Sequence, residues 1–485
     1  MNGPMRRVAI ALFVIFAVLI LDVTYWQVVR ADDLRADGRN SRELLSRTGR
    51  ERGLILSADG LVLARSVPDT ADSQRFIREY PFAELYAHTV GYSSLLFGDS
   101  GIEDTQAEVL SSGRDLTISG LLSALLGEDV RARSVQLSLV HALQNVAAEA
   151  LGDQEGAVVA LDPRTGEVLV AVSSPSFDPN SIVFGNPAEF DRLQEDPAEP
   201  LLDRTIRETY SPGSTFKTIV AVSAVESGVA GPDTLFPNPQ ELELPQSTAT
   251  IENFGGALCG SAEEVALEEA FLRSCNTTFA LLGMRLAGDA VVSQAEAFGF
   301  NREIPYDFGV LPSVIPEADT FRNDLAALAQ TSLGERDVQA TAMQMALVAA
   351  GVANEGTIMA PYLVEQIFDA DSNVDSTTEA RAFAEVMGAG TAQVLREMME
   401  RVVTAGTGTR AQIPGVRVGG KTGTAEAGEG PPHAWFIGFA PVEDPRIAIA
   451  VVVANGGNVG ENATGGAVAA PIAQEVMAFY LASGG

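Results

Sequence analysis

Lysine is almost missing from this chain. Among 485 residues and 32 basic side chains, only Lys217 and Lys421 are lysines, and all the rest are arginine. Histidine is nearly as scarce, and three of them cannot build a His-rich metal site. Two cysteines, Cys259 and Cys275, leave room for one disulfide or two buried thiols. Basic charge is also outweighed: the formal net charge is -32, which excludes a nucleic-acid binder, because phosphate contact needs clustered Lys and Arg. The acidity reads as a solvated surface suited to a salty or cation-rich medium, with an acidic patch for one partner as the alternative. No internal repeat and no low-complexity tract occurs. With 46% apolar and 20% charged residues the chain is globular, and its length implies two or three units.

The two surviving lysines are candidates for work that arginine cannot do. Arginine keeps its charge at any usable pH and so cannot act as a base, and its forked head does not replace a compact ammonium. Both lie in short motifs: Ser214-Thr215-Phe216-Lys217 and Lys421-Thr422-Gly423-Thr424, with Ser274-Cys275-Asn276 between them. Tyr210-Ser211-Pro212-Gly213 is turn chemistry, and Thr215 to Val222 opens an apolar helix. Ser214 is therefore expected at a helix N-terminus, where free N–H groups favour developing negative charge. Lys217, three residues on, shares its face. Burial in so apolar a helix would lower its pKa and let a neutral amine take the serine proton. Val416-Arg417-Val418 leading into Lys421 reads as a strand, with Lys421 and Gly423 on one face and Thr422 and Thr424 on the other. Gly423 would admit a substrate backbone closely. Ser274 and Asn276 read as a short loop after a helical stretch, Ala266 to Arg273.

Near the N-terminus an apolar run from Val8 to Leu21 follows Arg6-Arg7, and Val23 to Val29 extends it to spanning length. Tyr25 and Trp26 suit an interfacial belt. An uncleaved anchor is expected; the alternative is a signal peptide cut near Val29-Arg30-Ala31. Arg30, Arg35 and Arg39 weaken the charge asymmetry across the span. Gly53 to Leu56, the Asp59-Gly60 turn and Leu61 to Leu63 form a hairpin. A helix runs from Ser138 to Leu151. Gly156–Leu161 and Val168–Val172 make a hairpin buried on both faces. A second hairpin, Trp435–Phe439 with Ile447–Val453, precedes a helix from Ala467 to Leu481 with Pro471 in its first turns. Strands at both ends of this region imply one α+β domain whose sheet joins distant sequence. The expected divisions are 1–30 for tail and anchor, 31–134 for a smaller β-rich N-terminal domain, and 135–485 for the main domain.

These motifs, in this order, resemble those of the penicillin-binding proteins, and more narrowly the class B, short actinobacterial penicillin-binding protein A type. The likeness extends along the chain. It includes Arg52-Gly53, Asp59-Gly60, Leu63-Ala64, Gly98 with Gly101-Ile102-Glu103, Gly156-Ala157, Asp162-Pro163, Pro175 to Asn180, Tyr210 to Ser214 and Trp435 to Gly438. The resemblance implies a serine β-lactamase/transpeptidase-like fold, an antiparallel sheet flanked by helices. It also implies D,D-transpeptidation of peptidoglycan stem peptides, without cofactor or metal. Ser214 would be the nucleophile and Lys217 its base. Ser274 would relay a proton, Asn276 would bind the substrate amide, and Lys421 would supply positive potential. Thr422 and Thr424 would bind the substrate carboxylate, and the N–H groups of Ser214 and Thr424 would form an oxyanion hole. β-Lactams would be covalent inhibitors. A cell-membrane location with the catalytic domain outside the cytoplasm follows, as does a separate glycan polymerase of the SEDS type, since the N-terminal stretch is too small to be one. A Cys259–Cys275 disulfide would pin the Ser274–Asn276 loop. His433, near the Lys421 strand, reads as structural. A D,D-carboxypeptidase, a β-lactamase-type hydrolase or a non-catalytic cell-wall scaffold stays open.

Overall fold

The computed structural model describes residues 3–26, 30, 51–69, 75–111, 132–427 and 430–484. The chain divides into two compact units, Met1–Glu51 with Ser66–Ile77, and Arg52–Arg65 with Arg78–Gly485. Helix α1 (Gly3–Thr24) is long and apolar enough to cross a membrane and buries none of its residues. Tyr25 and Trp26 follow it as an edge-to-face pair, centroids 5.7 Å apart. Val29 and Ala31 of the alternative cleavage site, with Arg35 and Arg39, lie outside the described residues.

The main sheet has five antiparallel strands built from both ends of the larger unit. Helix α2 (His141–Leu151) leads into β1 (Gly156–Leu161) and β2 (Val168–Ser174). Helices α3 (Lys217–Glu226), α4 (Leu267–Arg273), α5 (Asn276–Leu286), α6 (Ala342–Ala353) and α7 (Ala389–Ala405) intervene. Strands β3 (Gly419–Ala427), β4 (Gly430–Ala440) and β5 (Ile447–Val453) and helix α8 (Ala469–Ala482) complete it. The strand order is β3-β4-β5-β1-β2, so β5 is central and pairs with β4 on one side and β1 on the other. All residues of β1 and β5 are buried, as their unbroken apolar composition requires. Helices α2 and α8 cover one face through Leu143, Ala147, Ile472 and Val476, against Val158, Ile449 and Val451. Helix α6, apolar all round and wholly buried, packs against β1, β4 and β5.

Local expectations meet small corrections with physical reasons. Helix α2 begins at His141, not Ser138, because the Ser138 hydroxyl donates to Val168 O at 2.8 Å and its N–H to Leu363 O. Helix α8 begins at Ala469, with Ala467 N–H instead capped by the Thr464 hydroxyl. Val416-Arg417-Val418 is not strand: Val416 closes a tight bridge with Ile413, and β3 starts only at Gly419.

A second sheet has the order Val374–Thr377, Val364–Phe368, Ser134–Leu137, Ile55–Leu56, Val62–Pro68, Phe76–Glu79. The expected hairpin is there, Ile55 opposite Ala64, yet two strands of this sheet come from far downstream. Beside it lies a buried charge cluster. Glu103, fully buried, pairs with Arg78 and with Arg52, the latter at 2.9 Å, and accepts the Tyr80 hydroxyl at 3.3 Å. Breaking a buried pair from one side leaves an uncompensated charge, a loss of about 3–5 kcal/mol. Glu103→Ala should therefore lower the urea-unfolding free energy by about that amount; a change within experimental error would show that the cluster contributes nothing to stability.

Candidate active site

Ser214 stands on a turn held from three directions. The Trp435 indole donates to Ser211 O at 3.0 Å, and Gln339 Nε2 donates to the Ser211 hydroxyl at 3.1 Å. Gly213 N–H donates to Gly334 O at 3.0 Å. A single 3-10 turn, Gly213–Thr215, then feeds α3, with the Thr215 hydroxyl folded back onto Pro212 O at 2.6 Å. Ser214 thus lies at the helix entrance, as its surrounding residues predict. Among the described residues neither its N–H nor its hydroxyl has a hydrogen-bond partner, and it is only half-buried.

Both lysines are fully buried and converge on Ser274. Lys217 Nζ donates to Ser274 O at 2.8 Å and Asn276 Oδ1 at 2.7 Å, and lies 3.5 Å from Ser274 Oγ. Lys421 Nζ donates to the same Ser274 Oγ at 2.9 Å and to Thr422 O at 2.9 Å. Each ammonium also sits 5.6 Å from the centroid of an aromatic ring, Lys217 over Phe279 and Lys421 over Phe271. Burial and then the neighbouring Lys421 charge hold Lys217 well below the usual lysine pKa, while Glu335 pulls the other way. Burial alone brings Lys421 down to about 7. Ser274 takes its place as the left-handed cap of α4, φ 63°, and Asn276 opens α5.

Strand β3 brings the third motif alongside. The Thr422 hydroxyl pairs with that of Thr407 at 2.6 Å, and Thr424 Oγ1 accepts Gly465 N–H at 3.3 Å. Gly423 explains itself differently from the sequence expectation. A Cβ there would lie 2.8 Å from Pro212 O and 2.9 Å from Thr215 Cγ2. The close approach it permits is that of the chain's own serine-bearing turn. His433 pairs with Ala425 across the sheet, packs edge-on against Tyr210 and accepts Asn455 N–H, all contacts within the fold.

An overhanging segment completes the wall. The Asn276 amide donates to Glu252 O at 2.9 Å, and Asn253 Oδ1 accepts Thr277 N–H at 3.1 Å. Cys259 and Cys275 meet with Cα atoms 5.9 Å apart, a separation a disulfide spans. Asn253, Thr407, Gly334 and Glu335 were not legible as site residues. The paired glycines Gly465-Gly466 were the one local hint of a tight approach to β3: a Cβ on Gly465 would lie 2.4 Å from Gly423 O.

Residues 156–478 match the family described as penicillin binding protein transpeptidase domain. The chain belongs to the penicillin-binding proteins. Residues 52–135 match a second family, the penicillin binding protein A dimerisation domain. This penicillin-binding protein is 41% identical over 500 residues to the peptidoglycan D,D-transpeptidase PbpA of Mycolicibacterium smegmatis, with 100% of both chains covered. It is 40% identical to PbpA of Mycobacterium tuberculosis, with 98% of each covered. Penicillin-binding protein A from M. tuberculosis, solved as a ceftriaxone acyl-enzyme complex, matches it with a TM-score of 0.82 at 39% identity. That match covers 89% of this chain and 98% of the other.

The buried Lys421 sets a stability signature. Between about 7 and the ordinary lysine value of 10.5 the unfolded chain holds this proton and the folded one does not. The destabilisation from burying it is therefore complete below 7 and fades as pH rises. Lys421→Met should gain most in melting temperature over wild type below pH 7, with the gap closing towards pH 10. A gap independent of pH would contradict the burial argument.

Proposed function

We propose that this penicillin-binding protein is a peptidoglycan D,D-transpeptidase that works through an acyl-enzyme on Ser214. The observation that carries the reading is the convergence of two buried lysines on Ser274, one of them, Lys217, three residues on from Ser214, whose hydroxyl has no partner among the described residues. A neutral Lys217 takes the Ser214 proton as Oγ attacks the carbonyl between the last two D-alanines of a stem peptide. The Ser214 and Thr424 N–H groups receive the oxyanion, each worth about 3 kcal/mol. Lys217 returns the proton through the Ser274 hydroxyl to the leaving amine, and the C–N bond breaks. An amine of a neighbouring stem then attacks the ester, loses its proton by the reverse route and frees Ser214. Lys421 supplies positive potential and orients Ser274. The Asn276 side chain holds the donor amide, Thr422 and Thr424 hold the substrate carboxylate, and Gly423 lets the serine-bearing turn pack against β3.

The same reading makes α1 a membrane anchor in the 1–30 segment, with the 31–134 and 135–485 domains outside the cytoplasm. The 31–134 domain is a non-catalytic pedestal or interaction domain, too small to be a glycan polymerase, so a separate membrane polymerase of the SEDS type supplies the glycan. β-Lactams mimic the terminal dipeptide and leave a stable adduct on Ser214.

Fluorescent penicillin should label the purified ectodomain lastingly and leave Ser214→Ala unlabelled. Rapid loss of label from wild type would instead indicate a hydrolase, and a folded protein that never labels would indicate a scaffold. A Cys259–Cys275 disulfide would close a 16-residue separation, adding about 3 kcal/mol in the chain-entropy view, and would hold Ser274 and Asn276 in register. Reduction should add the mass of two hydrogens and slow acylation several-fold; an unchanged acylation rate after confirmed reduction would remove the pin from the mechanism.

A further inference from the structure

We infer that Asn253 is a positioning residue of the acyl-transfer site: it fastens the Glu252 carbonyl against the Asn276 amide, so that Asn276 turns its oxygen towards Lys217. The inference rests on the transpeptidase reading above and adds a residue outside its three motifs.

An asparagine amide has an acceptor at one corner and two donors at the other, and its shape does not tell the two apart. Its partners decide. Asn276 meets Lys217 Nζ at 2.7 Å on one side and Glu252 O at 2.9 Å on the other. A carbonyl only accepts, so the Glu252 side takes the NH2 group and the oxygen is left to face the lysine. Without that carbonyl, a reversed amide would suit a neutral Lys217 equally well, by donating to its lone pair.

The orientation matters because a neutral amine has two N–H donors and one lone pair. Ser274 O at 2.8 Å and Asn276 Oδ1 at 2.7 Å occupy the two donors. The lone pair is then free to take the Ser214 proton. A reversed Asn276 would donate into that lone pair, and the base would be blocked by its own neighbour.

Asn253 is what keeps Glu252 in place. The residue preceding α5 is Cys275, whose side chain makes no capping bond, so the first N–H groups of the helix need acceptors from elsewhere. Asn253 Oδ1 supplies one from a distant segment, accepting Thr277 N–H at 3.1 Å and the Thr277 hydroxyl at 3.3 Å. Its Nδ2 donates to Ala257 O at 3.2 Å, and its own carbonyl accepts Gly256 N–H at 2.8 Å, closing the turn in which it sits. Asn253 and Thr277 are both buried. Thr250–Glu252 pairs antiparallel with Glu241–Glu243, with Ile251 buried between two exposed neighbours. Asn253, the next residue along, ties the end of that strand to α5.

The experiment is the second-order acylation rate of the full-length protein with penicillin, with a melting curve for every variant. Asn253→Ala leaves Thr277 N–H unmet and Asn276 free to reverse, and should lower the rate about tenfold. Asn253→Asp keeps the acceptor for Thr277 N–H and should retain at least about a third of the wild-type rate. In an Asn276→Ala background the amide to be oriented is gone, and adding Asn253→Ala should cost less than about twofold. An Asn253 that merely supports the wall would lower the rate by the same factor in both backgrounds, and that result overturns the inference. Should Asn253→Ala fail to fold, a folded Asn253→Asp that loses about tenfold in rate overturns it as well. Wild-type acylation separates the readings: a wild type that labels, with equal factors in both backgrounds, overturns this inference alone, and a wild type that never labels overturns both.

Discussion

Two lysine amines buried within reach of one serine hydroxyl are the constraint around which the rest of this fold is arranged. Such groups are expensive to desolvate, and they repel each other. The chain offsets this with carbonyl, amide and hydroxyl acceptors at 2.7–2.9 Å and with the faces of Phe271 and Phe279. All of these polar acceptors except the Thr422 carbonyl on β3 come from the short junction of α4 and α5. Its backbone is bent into a left-handed residue at Ser274, which aims a carbonyl at one lysine and a hydroxyl at the other. Relaxing that bend would take the Ser274 acceptors from both lysines, leaving Lys421 with Thr422 O and Lys217 with Asn276 Oδ1.

Rigidity elsewhere serves the same end. The turn under Ser214 is gripped by Trp435, Gln339, Gly334 and Gly423, contributed by β4, two loop positions and β3. The Asn253 amide and the meeting of Cys259 with Cys275 fasten the opposite wall. An enzyme that stores a developing charge gains by having its dipoles fixed beforehand, since they need not reorganise during the reaction. The two halves of the site, turn and connection, are therefore backed by groups that never touch a reacting atom.

Much of this was readable in the residues. A chain nearly emptied of lysine displays its two indispensable ones, and turn chemistry before an apolar helix places Ser214. Continuous apolar runs gave β1 and β5, because a strand buried on both faces has no polar alternation to obscure it. What stayed hidden depends on contacts between distant segments. Nothing local in Val364–Phe368 announces that it pairs with Ser134–Leu137. Gly423 reads as an opening for substrate until Pro212 and Thr215 are seen to fill the space. The expected strand through Val416 is absent because Val416 is turned back into a bridge with Ile413, a contact that the apolar alternation does not announce. Glu335 stands in a polar loop, Glu-Arg-Asp, whose composition alone suggests only a solvated surface.

The strand order β3-β4-β5-β1-β2 carries a temporal consequence. A polypeptide threads out of its ribosome N-terminus first, so β1, β2 and the Ser214 helix are delivered long before the three strands that finish the sheet. Until β5 zips between β1 and β4, the edge of β1 is unpaired, Lys421 is in water, and Ser214 has no strand at its side. The strand that flanks the serine-bearing turn is thus among the last parts of the fold to be made. The site is complete only when sequence from both sides of the sheet has met, so its assembly waits on long-range pairing.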